Sequence, residues 1–384
     1  MVKVMYRNLR RFLRRMQYAR LKKRQSTSRV EEIVENDVAY RLFVTNDNGG
    51  GTRQYENNVL KEENHALILR RMSYADRKDI MYEVRNFDTG RVVYLWEKEL
   101  PQVFAVKLSS ITLNTLVQTT AIRTILAEVT HIKQENPGCR LMYLVHDFHA
   151  VCPSCNLFTN GHYCRLDCEK EHCEPKLSDT PVKISEWRAM WRLVLELADE
   201  IRCFSTSSRA IMLQAYPGLQ KEKVTVVPHD TSFIHFTPIR DVDKLPLHLG
   251  IVGDCTTDFK GMEQAKALIR RFGDVVPITM VGSSGKRYHL RRKKVSYISS
   301  YAHDELQHIL EEKEISVAVF PSVWPETFSY VVSELMAMEL PILCFDYGAQ
   351  AERVSTYKKG IVCHDVTEMC MIIEEMRKRR AHEE

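Results

Sequence analysis

No stretch of this 384-residue chain approaches the roughly 18 consecutive apolar residues that mark a membrane-spanning helix. The N-terminus also lacks the apolar run of a secretory signal, so the expected location is inside the cell. The chain has no short Cys-dense framework: eleven cysteines in 384 residues, an odd number, suit reduced thiols or a metal cluster better than disulfides. Neither the dinucleotide fingerprint nor a P-loop occurs, which removes the two commonest phosphate-binding loops. Acids are missing from residues 1–24, which carry ten Lys or Arg and leave the other 360 residues at 45 basic against 50 acidic side chains.

Within that basic head, Met5, Leu9, Phe12, Leu13 and Met16 recur at helical spacing, so a helix there has one apolar stripe with cationic flanks. Such a helix suits an anionic membrane surface. A basic arm that is unstructured or packed on a partner is the competing reading. Nucleic acid is the weakest, because no interleaved aromatics or zinc-finger spacing follow the charge. The expected placement is cytoplasmic, with peripheral attachment to the inner face of the cell membrane if the head docks there.

What remains is the composition of a globular protein, 44% hydrophobic and 27% charged, at a length that favours two domains. After the extension at residues 1–38, Ala39 to Thr45 reads as a buried strand, Asn46 to Gly51 (NDNGGG) as a tight loop and Thr52 to Leu60 as a helix. Gly50 and Gly51 allow the backbone to approach a ligand closely. Short apolar or alternating stretches over 66–95 read as strands and hairpins, and Leu113 to Lys133 as a helix stopped by Pro137 and Gly138. Arg140 to Val145 is then a strand that delivers His146 and Asp147 at its carboxyl end, where open α/β sheets gather ligands. An N-terminal Rossmann-like domain is expected over 39–228, with a Cys-rich insertion at 149–173.

In that insertion Cys152 and Cys155 are spaced as metal ligands commonly are, and Cys164 and Cys168 form a second compatible pair. Four thiolates around a structural zinc would staple a polar loop, whereas buried thiols without an ion are the plainer alternative. A polar, Pro-containing connection at 229–245 precedes a second alternation of strand and helix over 246–384. The pattern predicts another doubly wound sheet whose last helix packs back on the N-terminal domain.

The strongest local pattern is Phe320 to Leu335, FPSVWPETFSYVVSEL. A strand ends at Pro321, a loop presents Glu326, and the N–H groups around Phe328 and Ser329 open a helix that carries Glu334. A carboxylate there is a bidentate acceptor for ribose hydroxyls, and the helix start suits phosphate. Eight residues of helix span about 12 Å, too far for both carboxyls to serve one sugar carbon as a hydrolase pair, so two recognition tasks fit better. Lys260, followed by Gly261, can neutralise a diphosphate leaving group, and the turn at Gly282 to Gly285 lets a nucleotide near the backbone.

These residues resemble the retaining GT-B glycosyltransferases of family 4, whose signature of a Glu, seven residues and a second Glu is matched by Glu326 and Glu334. Lys260-Gly261, Val281-Gly282, NGGGT at 48–52 and VVPHD at 226–230 fall in family order, over about residues 40–365. HDFHAVCPSCNLFTNGHYC at 146–164 resembles a subgroup of bacterial cell-surface polysaccharide synthesis, rhamnan or O-antigen, some of whose members transfer rhamnose. The resemblance implies an α/β fold of two Rossmann-like domains facing across a cleft. It implies a nucleoside-diphosphate sugar donor, a glycan or lipid-linked acceptor, and no catalytic metal. It assigns Glu326 to the donor sugar, Phe328 and Ser329 N–H groups to sugar and phosphate, Glu334 to ribose, and Lys260 to the diphosphate. His146 is assigned to the sugar, and Gly50 and Gly51 to the pyrophosphate. Three departures stand out: Asp254 occupies a usually basic position, which turns phosphate neutralisation over to Lys260 with Lys286 or Arg287; Thr327 and Ser329 replace two glycines; and Glu339 replaces another. A hydrolase, epimerase or phosphorylase on the same scaffold, or an inactive nucleotide-sugar-binding subunit, are the alternatives.

Overall fold

The computed structural model describes residues 16, 29–47, 50–61, 64–72, 81–177, 180–283, 288, 290 and 292–383. The basic head, apart from Met16, and the pair Lys286 and Arg287 lie outside them. The chain divides into two compact units, one drawn from residues up to 155, 174–202 and 216–225, the other from 156–173, 203–215 and 226–384.

The first unit is built on an eight-stranded sheet. Its strands are β1 (Tyr40–Asn46), β2 (Ala66–Arg71), β3 (Met81–Asn86), β4 (Val92–Trp96), β5 (Leu108–Leu113), β6 (Arg140–Leu144), β7 (Glu200–Cys203) and β8 (Val224–Val226), in the order β8-β7-β6-β5-β1-β2-β3-β4. β7, β6, β5, β1 and β2 run parallel, and β3 and β4 add an antiparallel edge. Helix α1 (Gly50–Leu60) begins inside the glycine run. α2 (Ile122–Glu135) buries Ile122, Ile125, Leu126 and Val129, and α3 (Ile184–Leu197) buries Trp187, Trp191, Val194 and Leu195. Both sets follow the spacing that puts one apolar stripe on a helix.

The helix expected over Leu113 to Lys133 is in fact the end of β5, an irregular turn and then α2. β5 itself, LSSITL, escapes a reading by periodicity because two serines interrupt it, while Leu113 and Leu116 happen to continue the helical spacing of α2. Pairing with β1 on one side and β6 on the other makes it a central strand all the same.

The second unit has a six-stranded parallel sheet of β9 (Leu249–Val252), β10 (Ile278–Val281), β11 (Val295–Ile298), β12 (Val317–Phe320), β13 (Ile342–Phe345) and β14 (Gly360–Cys363), ordered β11-β10-β9-β12-β13-β14. Every residue of β9, β10, β12 and β13 is buried, as strands covered on both faces must be. The helices of this unit include α4 (Thr206–Ala215), α5 (Met262–Phe272), α6 (Leu306–Glu312), α7 (Tyr330–Ala337), α8 (Gly348–Val354) and α9 (Val366–Glu383), with α4 packed on α8. Late in α9, Arg380 donates to the Leu245 carbonyl and to Ser316 Oγ of its own unit. Among the described residues no helix is long and apolar enough to cross a membrane.

Candidate active site

The strand order of the second unit reverses between β9 and β12, and ligands in such sheets bind beyond the carboxyl ends of the strands at that point. Two loops meet there. After β9 the chain makes a single turn at Asp258–Lys260 and passes Gly261 at φ 85°, and after β12 it runs from Pro321 to Ser329. A Cβ on Gly261 would stand 1.9 Å from the Pro321 carbonyl oxygen, so only glycine lets the loops close. The Val323 N–H then donates to the Phe259 carbonyl at 3.0 Å. As a result Lys260 Nζ lies 2.6 Å from Glu326 Oε1 and 5.2 Å from the centre of the Trp324 ring.

Glu326 is held from several sides. Ser322 Oγ donates to its Oε1 at 3.1 Å, and its backbone N–H donates to Gln350 Oε1 at 3.1 Å, while Gln350 Nε2 donates to the Trp324 carbonyl at 2.8 Å. Gly348, at φ 56°, lets α8 start against this loop, since a Cβ would come within 2.5 Å of Pro325 Cα. The Glu326 side chain is 5% exposed and that of Lys260 35%, so the carboxylate is fixed and the ammonium faces solvent.

Ser329 caps α7, its hydroxyl accepting from the Val332 N–H. Phe328 stacks on His229 with centroids 4.5 Å apart, and the Arg353 guanidinium lies over its ring at 4.9 Å. Arg353 also donates to the Ser329 carbonyl at 3.0 Å and to Ser333 Oγ at 2.8 Å, clamping the helix start from behind. One turn on, the buried Glu334 carboxyl lies 3.2 Å from His303 Nδ1; burial raises its pKa and His303 opposes the rise. Gly282, at φ 94°, ends β10 beside Gly253, and Ser283 Oγ donates to the Gly253 carbonyl. Asp254, the acid at the usually basic position, is exposed and accepts from the Thr256 N–H and hydroxyl.

The first unit presents a different set at its own strand ends. His146, just beyond β6, meets the Tyr55 ring edge-on at 4.8 Å. Beside it Asp147 accepts from Thr115 Oγ1 at 2.9 Å and from the His149 N–H at 2.8 Å, and burial still pushes its pKa up to about 6. Asn46 donates to Thr115 Oγ1, and Asn114 to Thr45 Oγ1, which in turn donates to the buried Glu56. Gly50, at φ 68°, opens α1 with nothing within 4 Å of where a Cβ would stand, and Gly51 is exposed in its first turn.

The cysteine pairs do not form a metal centre. Among the described residues no group of three or more His, Cys, Asp or Glu side chains could hold a metal ion, which overturns the expected structural zinc at Cys152, Cys155, Cys164 and Cys168. Burial, and to a smaller degree Asp147 and Cys152, drive the Cys155 thiol pKa far up. Cys152 Sγ rests 3.2 Å from Ser154 Oγ, and Cys152 and Cys155 belong to the first unit whereas Cys164 and Cys168 belong to the second. Apolar and polar contacts organise the segment instead: Phe158 meets Phe259 at 6.5 Å, Tyr163 meets Tyr347 at 6.1 Å, and His162 Nε2 lies 2.9 Å from Glu171.

Of the residues expected from sequence, Lys260 and Glu326 are in direct contact, Phe328 and Ser329 form the helix entry, Glu334 follows inside α7, and Gly282 borders Gly253. His146, Gly50 and Gly51 belong to the other unit. Ser322, Trp324, Gln350, His303 and Arg353 were not anticipated. Ser322 and Trp324 sit inside the strongest motif and could have been flagged by that alone. Gln350, His303 and Arg353 come from other loops and helices, and no local pattern marks them.

Comparison with known proteins follows the same lines. Residues 246–378 match the model of the family described as glycosyl transferases group 1. The structure resembles that of Alr3699/HepE from Anabaena in complex with UDP and glucose, at 14% identity and a TM-score of 0.57, over 89% of this chain and 91% of that one. It also resembles a glycosyltransferase from Rickettsia africae, at 11% identity and a TM-score of 0.52 over 88% of each chain. The catalytic domain of starch synthase IV from Arabidopsis thaliana, bound to ADP and acarbose, gives 11% identity and 0.51 over 89% of this chain and 92% of that one. No curated protein matches the chain. The protein therefore has the GT-B fold. Over residues 246–378 the sequence is similar to group 1 glycosyl transferases, the similarity that the Glu326 and Glu334 spacing led one to expect.

Proposed function

We propose that this protein moves a sugar from a nucleoside-diphosphate donor to a hydroxyl of a glycan or lipid-linked glycan acceptor, with retention of anomeric configuration. The observation that carries the reading is the Lys260–Glu326 contact at the point where the strand order reverses, one loop away from the capped start of α7 and the buried Glu334. UDP in one HepE complex and UDP-glucose in another support a nucleotide-sugar donor.

In this reading Lys260 meets the diphosphate, with Lys286 and Arg287 in support, and the N–H groups of Phe328 and Ser329 hold sugar and phosphate. Glu326 accepts from donor-sugar hydroxyls, Glu334 from the ribose, and His146 serves the sugar. Gly50, Gly51 and Gly282 leave room for the nucleotide's phosphates and base. The acceptor oxygen bonds to the anomeric carbon on the face from which the diphosphate oxygen departs. The acceptor's proton passes to a phosphate oxygen of the leaving group. The route draws on no metal and no protein nucleophile.

Asp254 is the observation that favours a binding subunit instead, because a carboxylate near a diphosphate is unfavourable. Its engagement with Thr256 supports the transferase, since the charge is already hydrogen-bonded locally. A thermal-shift panel of nucleoside-diphosphate sugars identifies the donor, as only a fitting one stabilises the fold appreciably. With that donor, Glu326→Gln is expected to lower turnover by roughly 10²- to 10³-fold. Unchanged turnover would sink the assignment. Free sugar as the product would indicate a hydrolase, and donor binding without turnover a binding subunit. The cell-surface polysaccharide setting and the membrane role of residues 1–24 belong to the same proposal. Equal liposome co-sedimentation with and without those residues would remove the membrane role.

A further inference from the structure

Away from the strand edge, the first unit contains a cavity of about 250 Å³ between α1 and one face of the sheet. The register explains its lining. Arg41 pairs across to Ser110 and Ser110 to Arg140; Thr112 pairs with Met142, and Arg202 with Leu144. Alternate residues of a strand share a face, so β1, β5, β6 and β7 all present this row to the cavity. The intervening residues Ile111, Leu141 and Tyr143 are buried on the opposite face, where Tyr143 packs on Trp191 of α3. A parallel sheet ordinarily buries apolar side chains on both faces, and here one face carries arginines and hydroxyls instead.

The arginines are arranged rather than scattered. Glu200 accepts from Arg202 at 2.8 and 3.1 Å and from Arg140 at 2.9 Å, holding two guanidiniums side by side, and Thr225 Oγ1 donates to the same carboxylate at 3.0 Å. Arg202 also hydrogen-bonds the Tyr55 hydroxyl from α1. Arg41 stands exposed at the rim. No carboxylate is among the described lining residues, while Phe43, Leu60 and Leu144 give the cavity an apolar floor. Glu200 offsets one of the three guanidinium charges and leaves the open-mouthed space with a net positive lining that an anion relieves, and the planar forks match phosphate oxygens. The volume exceeds the roughly 150 Å³ of a cavity that holds benzene, which leaves room for a ring beside the phosphate.

We propose that this cavity binds a small organic phosphate, its phosphomonoester held by Arg41, Arg140 and Arg202 and its body resting against Phe43 and Met142. The cavity belongs to the first unit, Lys260 and Glu326 to the second, and the proposal stands whether or not the transferase reading does. The phosphomonoester can belong to a soluble metabolite or to the head of a lipid.

Isothermal titration of the full chain with a hexose 6-phosphate, a soluble short-chain phosphatidate, inorganic phosphate and the neutral hexose tests it. Saturable binding of at least one phosphomonoester and none of the neutral hexose is expected, and the tighter of the two organic probes identifies the source. Arg41→Gln and Arg140→Gln, both at exposed positions, are each expected to weaken binding roughly tenfold or more, while Lys260→Met leaves it unchanged. No saturable binding of either phosphomonoester would overturn the proposal. So would inorganic phosphate binding as tightly as both. Binding lost in Lys260→Met but kept in the two arginine variants would assign the phosphate to the second unit and overturn it equally.

Discussion

The two sheets end in opposite kinds of chemistry. Beyond β9 and β12 the second unit sets a half-exposed ammonium against a buried carboxylate, with glycines at 261 and 348 letting backbones touch. Beyond β1, β5 and β6 the first unit sets a chain of amides, hydroxyls and carboxyls: Asn46, Thr115, Asp147, Asn114, Thr45 and Glu56. The proposed transfer needs a cation where negative charge develops, and Lys260 is the residue that this proposal puts there. The first unit's network ties side chains to one another instead, and each buried polar atom in it depends on the next. The difference shows why the sequence pattern of the second unit is compact: the contacts there come from two loops, not from a dispersed network.

The largest stability effect that would sharpen this contrast is in the first unit. Glu56 is 2% exposed and accepts from Thr45, Arg53 and Arg70, so Glu56→Gln removes charge-assisted hydrogen bonds from a buried site, while Arg53 keeps Asp47 and Arg70 keeps Glu83. A loss of about 2 kcal/mol in urea unfolding is expected, with donor binding to the folded protein retained. A change of under 0.5 kcal/mol would break the comparison. Gly261→Ala comes next. Its Cβ must push Pro321 away at a positive φ, which costs more than about 1 kcal/mol and separates Lys260 from Glu326. Donor affinity should fall together with the melting temperature, and a variant that is destabilised yet binds donor normally would detach the loop closure from the site.

The most gradual effect is the pH dependence. Burial lowers His149, in the first unit, and His229, in the second, to about 3, so the unfolded chain takes up these protons near 6.5 and the folded one resists. Their contribution is present above 6.5 and is lost as pH falls towards 3, by at most about 1.4 kcal/mol per pH unit each. Asp147 acts in the other sense. Its pKa is raised to about 6, so its contribution is present below 3.8 and is lost as pH rises through 6. Between 3.8 and 6 the two histidines outweigh the one carboxyl, and stability falls on acidification. His149→Phe should flatten that slope in denaturant titrations at stepped pH, and an unaltered slope would show that the buried imidazole does not titrate with folding.

Much of the second unit was legible because its strands are uninterrupted apolar runs and its site residues follow them directly in sequence. Lys260, Glu326, Ser329 and Glu334 could be named from spacing and position alone. Asp254 could be flagged as a departure, but that Thr256 engages its carboxylate could not. The first unit read less well. β5 hid behind its serines, and with it went Asn114 and Thr115, whose polar side chains make sense only once Thr45, Asn46 and Asp147 are known to surround them. The zinc expectation failed for a related reason: ligand spacing along the chain says nothing about whether the thiols converge, and among the described residues they form no metal-binding group.

The sequence alone determined the alternation of strand and helix and the α/β class, because periodicity and short-range order are written in neighbouring residues. Tertiary structure decided the rest. Contact between Lys260 and Glu326 follows from a glycine 60 residues before Pro321, the pairing of His303 with Glu334 from a loop beyond β11, and the arginine-lined cavity from the register of four strands far apart in the chain. Such contacts arise from hydrogen-bond register and close packing, which no single stretch of residues encodes.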